Sequence, residues 1–129
     1  MSVPAGPHFA VEHRRFGDRA VVTVSGELDI ATVPQLYAVL AIAVGPRPAA
    51  LWIDLSATTF IDSSGLHALF EARHRFGGAL AIICPPRVRR VFEIVGLDTT
   101  VPLYDDAAAA RSALESSRSK DARNRSQAV

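Results

Sequence analysis

The stretch Asp54-Leu-Ser-Ala-Thr-Thr-Phe-Ile-Asp-Ser-Ser-Gly-Leu66 gathers carboxylates and hydroxyls where an apolar run gives way to a helical pattern. Asp62 or Ser63 can cap that helix, because a short side-chain oxygen accepts from a backbone N–H that the first turn leaves unpaired. Ser64 then stands beside free N–H groups at the positive end of the helix dipole, a place that accommodates a phosphate. Gly65 has no side chain, which leaves room for another protein to approach that hydroxyl. Capping alone also accounts for Asp62 and Ser63, since Asp and Ser are common capping residues. A second pair of acids, Glu27 and Asp29 in Gly26-Glu-Leu-Asp29, falls in a loop ahead of an earlier helix, where acids again suit the N-terminal dipole.

Sharper chemistry does not follow from the other residues. Ser64, His67 and Asp62 are the residue types of a hydrolase triad, but three residues within one turn do not reach the line of nucleophile, base and orienter. A Gly-x-Ser-x-Gly elbow is absent from the sequence. His67 and His74 are two helical turns apart, too far for one metal ion, and no cysteine or acid completes a site, so both read as surface residues. Cys84, the only cysteine, sits in an apolar run and reads as a small core residue. Arg87, Arg89 and Arg90 read as a solvated helix face. The sequence lacks a Gly-rich phosphate loop, and the expectation is a binding module without a metal site and not an enzyme.

The elements that must hold these residues can be read from periodicity. Phe9 to Phe16 alternates, Gly17-Asp18 interrupts, and Ala20 to Ser25 resumes with β-branched residues, which predicts a hairpin. Val33, Leu36, Tyr37, Leu40, Ala41 and Val44 form one helical face, with Thr32 as the expected N-cap and Gly45-Pro46 as the stop. Ala49 to Leu55 predicts a central strand covered on both faces, followed by a turn through Ser56 to Ile61. A second helix has Leu66, Leu69, Phe70, the stem of Arg73 and Phe76 as its inward stripe, and ends at Gly77-Gly78. Leu80 to Cys84 predicts another buried strand. A third helix places Val88, Val91, Phe92 and Val95 on one face, Val101 to Tyr104 predicts a last strand, and Ala107 to Leu114 a fourth helix. Strands alternating with helices imply parallel pairing by right-handed crossovers, so the expected class is α/β, with a mixed, mostly parallel sheet of five strands and four helices.

Composition sets the outer limits. A chain of 129 residues suits one domain, expected over residues 9–115 between a short N-terminal segment, 1–8, and a disordered polar tail, 116–129, that has no apolar face to offset its ordering. The 14 Lys and Arg nearly cancel the 13 Asp and Glu, so a net charge of +1 supplies no field for nucleic acid or a membrane surface. A single cysteine fits a reducing compartment, and no segment reaches the ~20 apolar residues of a spanning helix, so a cytoplasmic protein is expected.

With those residues on the page, the chain resembles a STAS domain, in particular the bacterial anti-sigma-factor antagonists. The matching residues are Gly26-Glu27-Leu28-Asp29, Asp54-Leu55-Ser56 and Phe60-Ile61-Asp62-Ser63-Ser64-Gly65-Leu66, with Val91 to Asp98 similar to the family's third helix. The resemblance implies phosphorylation at Ser64, with Ser63 the second candidate, by a partner that is both an anti-sigma factor and an ATP-dependent serine kinase; the ATP and its metal belong to that kinase, so this chain should need no cofactor. It implies that the unphosphorylated form binds that partner and so frees a sigma factor, and that a metal-dependent serine/threonine phosphatase resets the switch. Asp29 would lie beside the serine, and Glu27, Asp62, Ser63, Gly65, Leu66 and His67 would complete the partner-binding surface. A non-switching STAS subunit of a transport or stress-sensing assembly is the alternative. The chain departs from the family in a second helix, Gly65 to Phe76, about a turn shorter than many, and in His67, where a small residue is common.

Overall fold

The structure, a computed structural model, describes residues 9–115; the N-terminal segment and polar tail read from the sequence lie outside the described residues. Alternation makes β1 (Ala10–Phe16) and β2 (Arg19–Leu28) an antiparallel hairpin about Gly17-Asp18. Each later strand is reached through a helix, so β3 (Ala50–Ile61), β4 (Ala79–Ile83) and β5 (Leu103–Tyr104) pair in parallel, in the order β1-β2-β3-β4-β5. The crossovers are α1 (Val33–Val44), α2 (Ser63–Arg75) and α3 (Pro86–Ile94), and α4 (residues 107–115) follows β5. This is the mixed, mostly parallel five-stranded sheet with four helices that the sequence predicts.

The period of two sorts the strands onto two faces. Val22, Val24, Ile53, Leu55 and Ile82 meet Leu36 and Leu40 of α1, Leu66 and Leu69 of α2, and Val88 and Phe92 of α3. On the other face Trp52, Ala81 and Ile83 pack with Ala110 of α4. Ala50 to Ile53 are all buried, as a strand covered on both faces requires. Charged, exposed side chains along β1, from Glu12 to Arg15, leave the hairpin edge unattractive to further strands.

The structure corrects several boundaries. Ser56 to Ile61 is strand, not turn, and β2 runs on through Gly26-Glu27-Leu28, which was expected as loop. The two extensions hold each other, pairing Ser25 with Ala57 and Leu28 with Ile61. Thr58 is fully buried within them and its hydroxyl donates to the Val24 carbonyl at 3.0 Å. Gly26, at φ 91, adjoins the register shift between Gly26 and Glu27 and takes a left-handed conformation that a side chain would strain. Arg73 and Val95 are exposed rather than inward, while Ala68 and Ala72 occupy the inner side of α2 with Leu69. Tyr37 and Ala41, expected in the core, are also exposed. Val101 is buried but precedes β5, which is shorter than read. Two of the three arginines of α3 are engaged: Arg89 pairs with Asp105 at 3.2 Å and Arg87 donates to the Thr58 carbonyl at 3.3 Å.

Candidate functional site

The joint extension of β2 and β3 delivers two chain turns to one end of the sheet. At the first, Asp29 organises the turn that leads into α1, whose N-cap residue is Thr32. Asp29 Oδ1 accepts from the amides of Ala31 at 2.9 Å and Thr32 at 3.1 Å, and the Asp29 amide donates to Thr32 Oγ1 at 2.9 Å. Thr32, expected to cap α1 by its side chain, instead donates its hydroxyl to the Glu27 carbonyl at 2.8 Å. Asp29 is half-buried, whereas Glu27 is exposed on the strand end opposite Phe60.

At the second turn Asp62 is the N-cap of α2. Its Oδ1 accepts from Gly65 N at 3.1 Å, and its Oδ2 accepts from Ile30 N at 3.3 Å. One carboxylate therefore joins the start of α2 to the loop that Asp29 organises, which brings the two sequence motifs together. Ser63 caps nothing: it is the first helical residue and is exposed. Ser64, in the next position, is half-buried, and neither its hydroxyl nor its amide is hydrogen-bonded among the described residues. Its side chain opens into a depression lined by Ile30, Val33, Pro34, Tyr37, Ser63 and His67.

Gly65 and Leu66 point the other way. A Cβ on Gly65 would stand 2.7 Å from Ile61 Cγ1 and 2.8 Å from the Leu28 carbonyl oxygen. The space expected beside Gly65 for a visiting protein is thus filled by the strand ends, and the glycine serves the seating of α2 on them. Leu66 is buried in the same core. These two residues shape the surface from beneath, while Ser63, Ser64 and His67 stand on it.

His67 Nε2 lies 3.8 Å from Glu71 Oε1, one turn further along α2, and Glu71 Oε2 also receives Arg75 Nε at 3.3 Å. His74 lies edge-on to Phe70, ring centroids 4.5 Å apart. Asp62 is thus engaged with backbone amides and His67 with Glu71, so these residues do not line up with Ser64 as base and orienter. Periodicity gave no sign of Ile30, which is 76% exposed beside the serine. Tyr37 also lines the depression, because the outer part of the α1 apolar stripe faces solvent.

Known proteins share this fold. The STAS domain family profile matches residues 10–110. Over 88 residues, 66% of this chain and 72% of the relative, the chain is 34% identical to the anti-sigma-F factor antagonist RsfB of Mycobacterium tuberculosis. The crystal structure of an anti-sigma factor antagonist from Mycobacterium paratuberculosis superposes with a TM-score of 0.79 at 32% identity, over 89% of this chain and 99% of that one. A crystallised Thermotoga maritima protein described as a putative anti-sigma factor antagonist shares the fold at a TM-score of 0.71 and 21% identity, over 81% and 94% of the two chains. A hairpin followed by three parallel crossovers, the Asp62-Ser63-Ser64-Gly65 turn at the end of β3, and a family match across nearly all the described residues lead to one assignment: the chain belongs to the STAS domain family.

Proposed function

We propose that this chain is an anti-sigma-factor antagonist whose domain, residues 9–115, docks on its anti-sigma factor through the surface around Ser64 and is switched off by phosphorylation of that serine. The observation that carries the reading is Ser64 itself, half-buried, with no hydrogen bond to its hydroxyl among the described residues, at the second position of α2 in an open, largely apolar depression. A kinase can reach such an oxygen, and a phosphate there changes the centre of the surface. The 34% identity to an anti-sigma-F factor antagonist supports the class of partner.

The physical basis of release is charge. A phosphate adds about −1.5 to −2 charges at neutral pH. Against a partner carboxylate ~4 Å away, each pair of unit charges repels by about 4 kcal/mol at an effective dielectric of about 20, before screening by salt. Since about 1.4 kcal/mol is a tenfold loss of affinity, one phosphate suffices to end the complex. ATP and its metal belong to the partner, an anti-sigma factor with serine kinase activity, and a serine/threonine phosphatase restores the free hydroxyl. Ile30, Tyr37 and His67 supply contact area around the serine, Asp29, Asp62 and Glu27 supply charge, and Gly65 and Leu66 hold α2 in place. The cycle takes place in the cytoplasm.

The test is incubation of the purified chain with ATP and the anti-sigma kinase of the same cell, followed by intact-mass measurement. The expected result is one phosphoryl increment that Ser64→Ala removes and Ser63→Ala retains. Modification retained by Ser64→Ala would move the switch elsewhere. Association indifferent to Ser64→Asp would mark a static docking subunit instead.

A further inference from the structure

The apolar face of α1 is wider than the core beneath it. Val33, Leu36 and Leu40 are buried, whereas Tyr37 and Ala41 are exposed and Val44 is half-buried, a second stripe at helical spacing. Across from this stripe stands the latter half of α2, with Ala72, Arg75 and Phe76, and between the two helices lies a cavity of about 580 Å³ with buried Leu51 of β3 at its base. Small-molecule pockets are typically of about 300 to 1,000 Å³, apolar in lining, with a few polar groups that orient the ligand.

The polar groups at the rim are not equivalent. Arg75 is neutralised by Glu71 at 3.3 Å. Arg47 lines the same cavity and is ion-paired with no carboxylate among the described residues. Its backbone has φ 54, the sole left-handed non-glycine among the described residues, and it stands between Pro46 and Pro48. That conformation is unfavourable for a residue with a Cβ, and here it belongs to the turn that closes α1, where the Arg47 amide donates to the Val44 carbonyl at 2.9 Å. Arg47 is exposed, and its unpaired guanidinium lines the apolar cavity.

The geometry points to a binding site for a small amphiphilic monoanion, an alkyl or aryl carboxylate, with its apolar body between Tyr37, Val44, Leu51 and Phe76 and its carboxylate on Arg47. Arginine matches a carboxylate through two parallel N–H donors, and the apolar walls take up the remainder by the hydrophobic effect. The lining also holds the Glu71 carboxylate, which is taken up by Arg75, so Arg47 is the charge left to meet a head group. The site does not depend on phosphorylation of Ser64, although Tyr37 walls both the cavity and the serine depression.

The test is calorimetric titration of the full chain with decanoate and, in parallel, with decanol. Decanoate is expected to bind saturably at one site, and decanol about tenfold more weakly or worse, for want of the charged contact. Arg47→Gly keeps the left-handed backbone and removes the guanidinium, so it should bring decanoate down to the level of decanol. Ala41→Trp, at an exposed position, should fill the cavity and abolish both. Absence of saturable decanoate binding by the wild type, decanol binding as tight as decanoate, or binding undiminished in Ala41→Trp would each overturn the assignment. Should Ala41→Trp fail to fold, the amide shifts of the wild type decide: perturbation centred on Tyr37, Val44, Arg47 and Phe76 supports the site, and perturbation elsewhere refutes it. None of these readouts involves a kinase or an anti-sigma factor, so failure here leaves the switch untouched.

Discussion

A phosphate on Ser64 would enter a field that its neighbours have already shaped. The amides of Ser63 and Ser64 have no acceptors among the described residues and the helix dipole favours an anion, while Asp62, engaged with Gly65 N and Ile30 N, opposes one. The same carboxylate ties two loops together, so Asp62→Ala should cost about 1 to 2 kcal/mol, read as a lower urea midpoint. Gly65→Ala should cost about 2 to 3 kcal/mol, because its methyl has no room between Ile61 and Leu28; a variant as stable as wild type would contradict the seating described for α2. At this scale the sequence was partly legible. Asp62, Ser64 and Asp29 carry chemistry in their residue types and could be picked out. The inward direction of Gly65 could not, because a missing side chain is equally useful to a partner outside and to a strand beneath. Nor could Ile30, whose exposure depends on the turn made by the residues around it.

The elements show why spacing succeeded where it did. Helices long enough to repeat their apolar stripe, and the strand Ala50 to Leu55 buried on both faces, follow from patterns of several periods. The misreading fell on Ser56 to Ile61, whose short polar and β-branched residues resemble a turn. What makes them strand is tertiary: Thr58 is buried, donates to Val24 and accepts from Arg87, and the whole extension exists only because β2 extends beside it. Thr58→Val keeps the shape and deletes the hydroxyl bond, so it should cost about 1 to 2 kcal/mol in chemical denaturation; no loss would mean that pairing with β2 alone holds the extension. The exposure of Tyr37 and Ala41 has a similar origin. Periodicity identifies an apolar face, but how much of it the core covers depends on how closely α2 approaches, and here α2 leaves a cavity.

For the whole molecule, the fold class was legible because one consistent alternation of strand and helix runs from β1 to α4, and the family because of the motif Asp62-Ser63-Ser64-Gly65-Leu66. No helix among the described residues is long and apolar enough to cross a membrane. Stability should fall at alkaline pH through the core. Burial pushes the Cys84 thiol up from 9.0 to about 12, with Arg89 opposing the shift and Asp105 adding to it. The unfolded thiol ionises near 9 while the folded one keeps its proton, so this contribution is intact below pH 9 and is lost as pH rises towards 12. Denaturation midpoints of wild type and Cys84→Ala should therefore diverge across that window and run parallel below it.

The placement of the core bears on the switch. A domain whose core, strand ends and caps lie beneath the serine, rather than through it, can take on charge at its surface and remain folded. Titration of the anti-sigma factor with the unmodified and the Ser64-phosphorylated chain, with circular dichroism of both forms, puts this to the test most directly. The account predicts at least about tenfold weaker binding of the phosphorylated chain with superimposable spectra. Equal affinities, or a phosphorylated chain that binds weakly because it has lost its secondary structure, would contradict it.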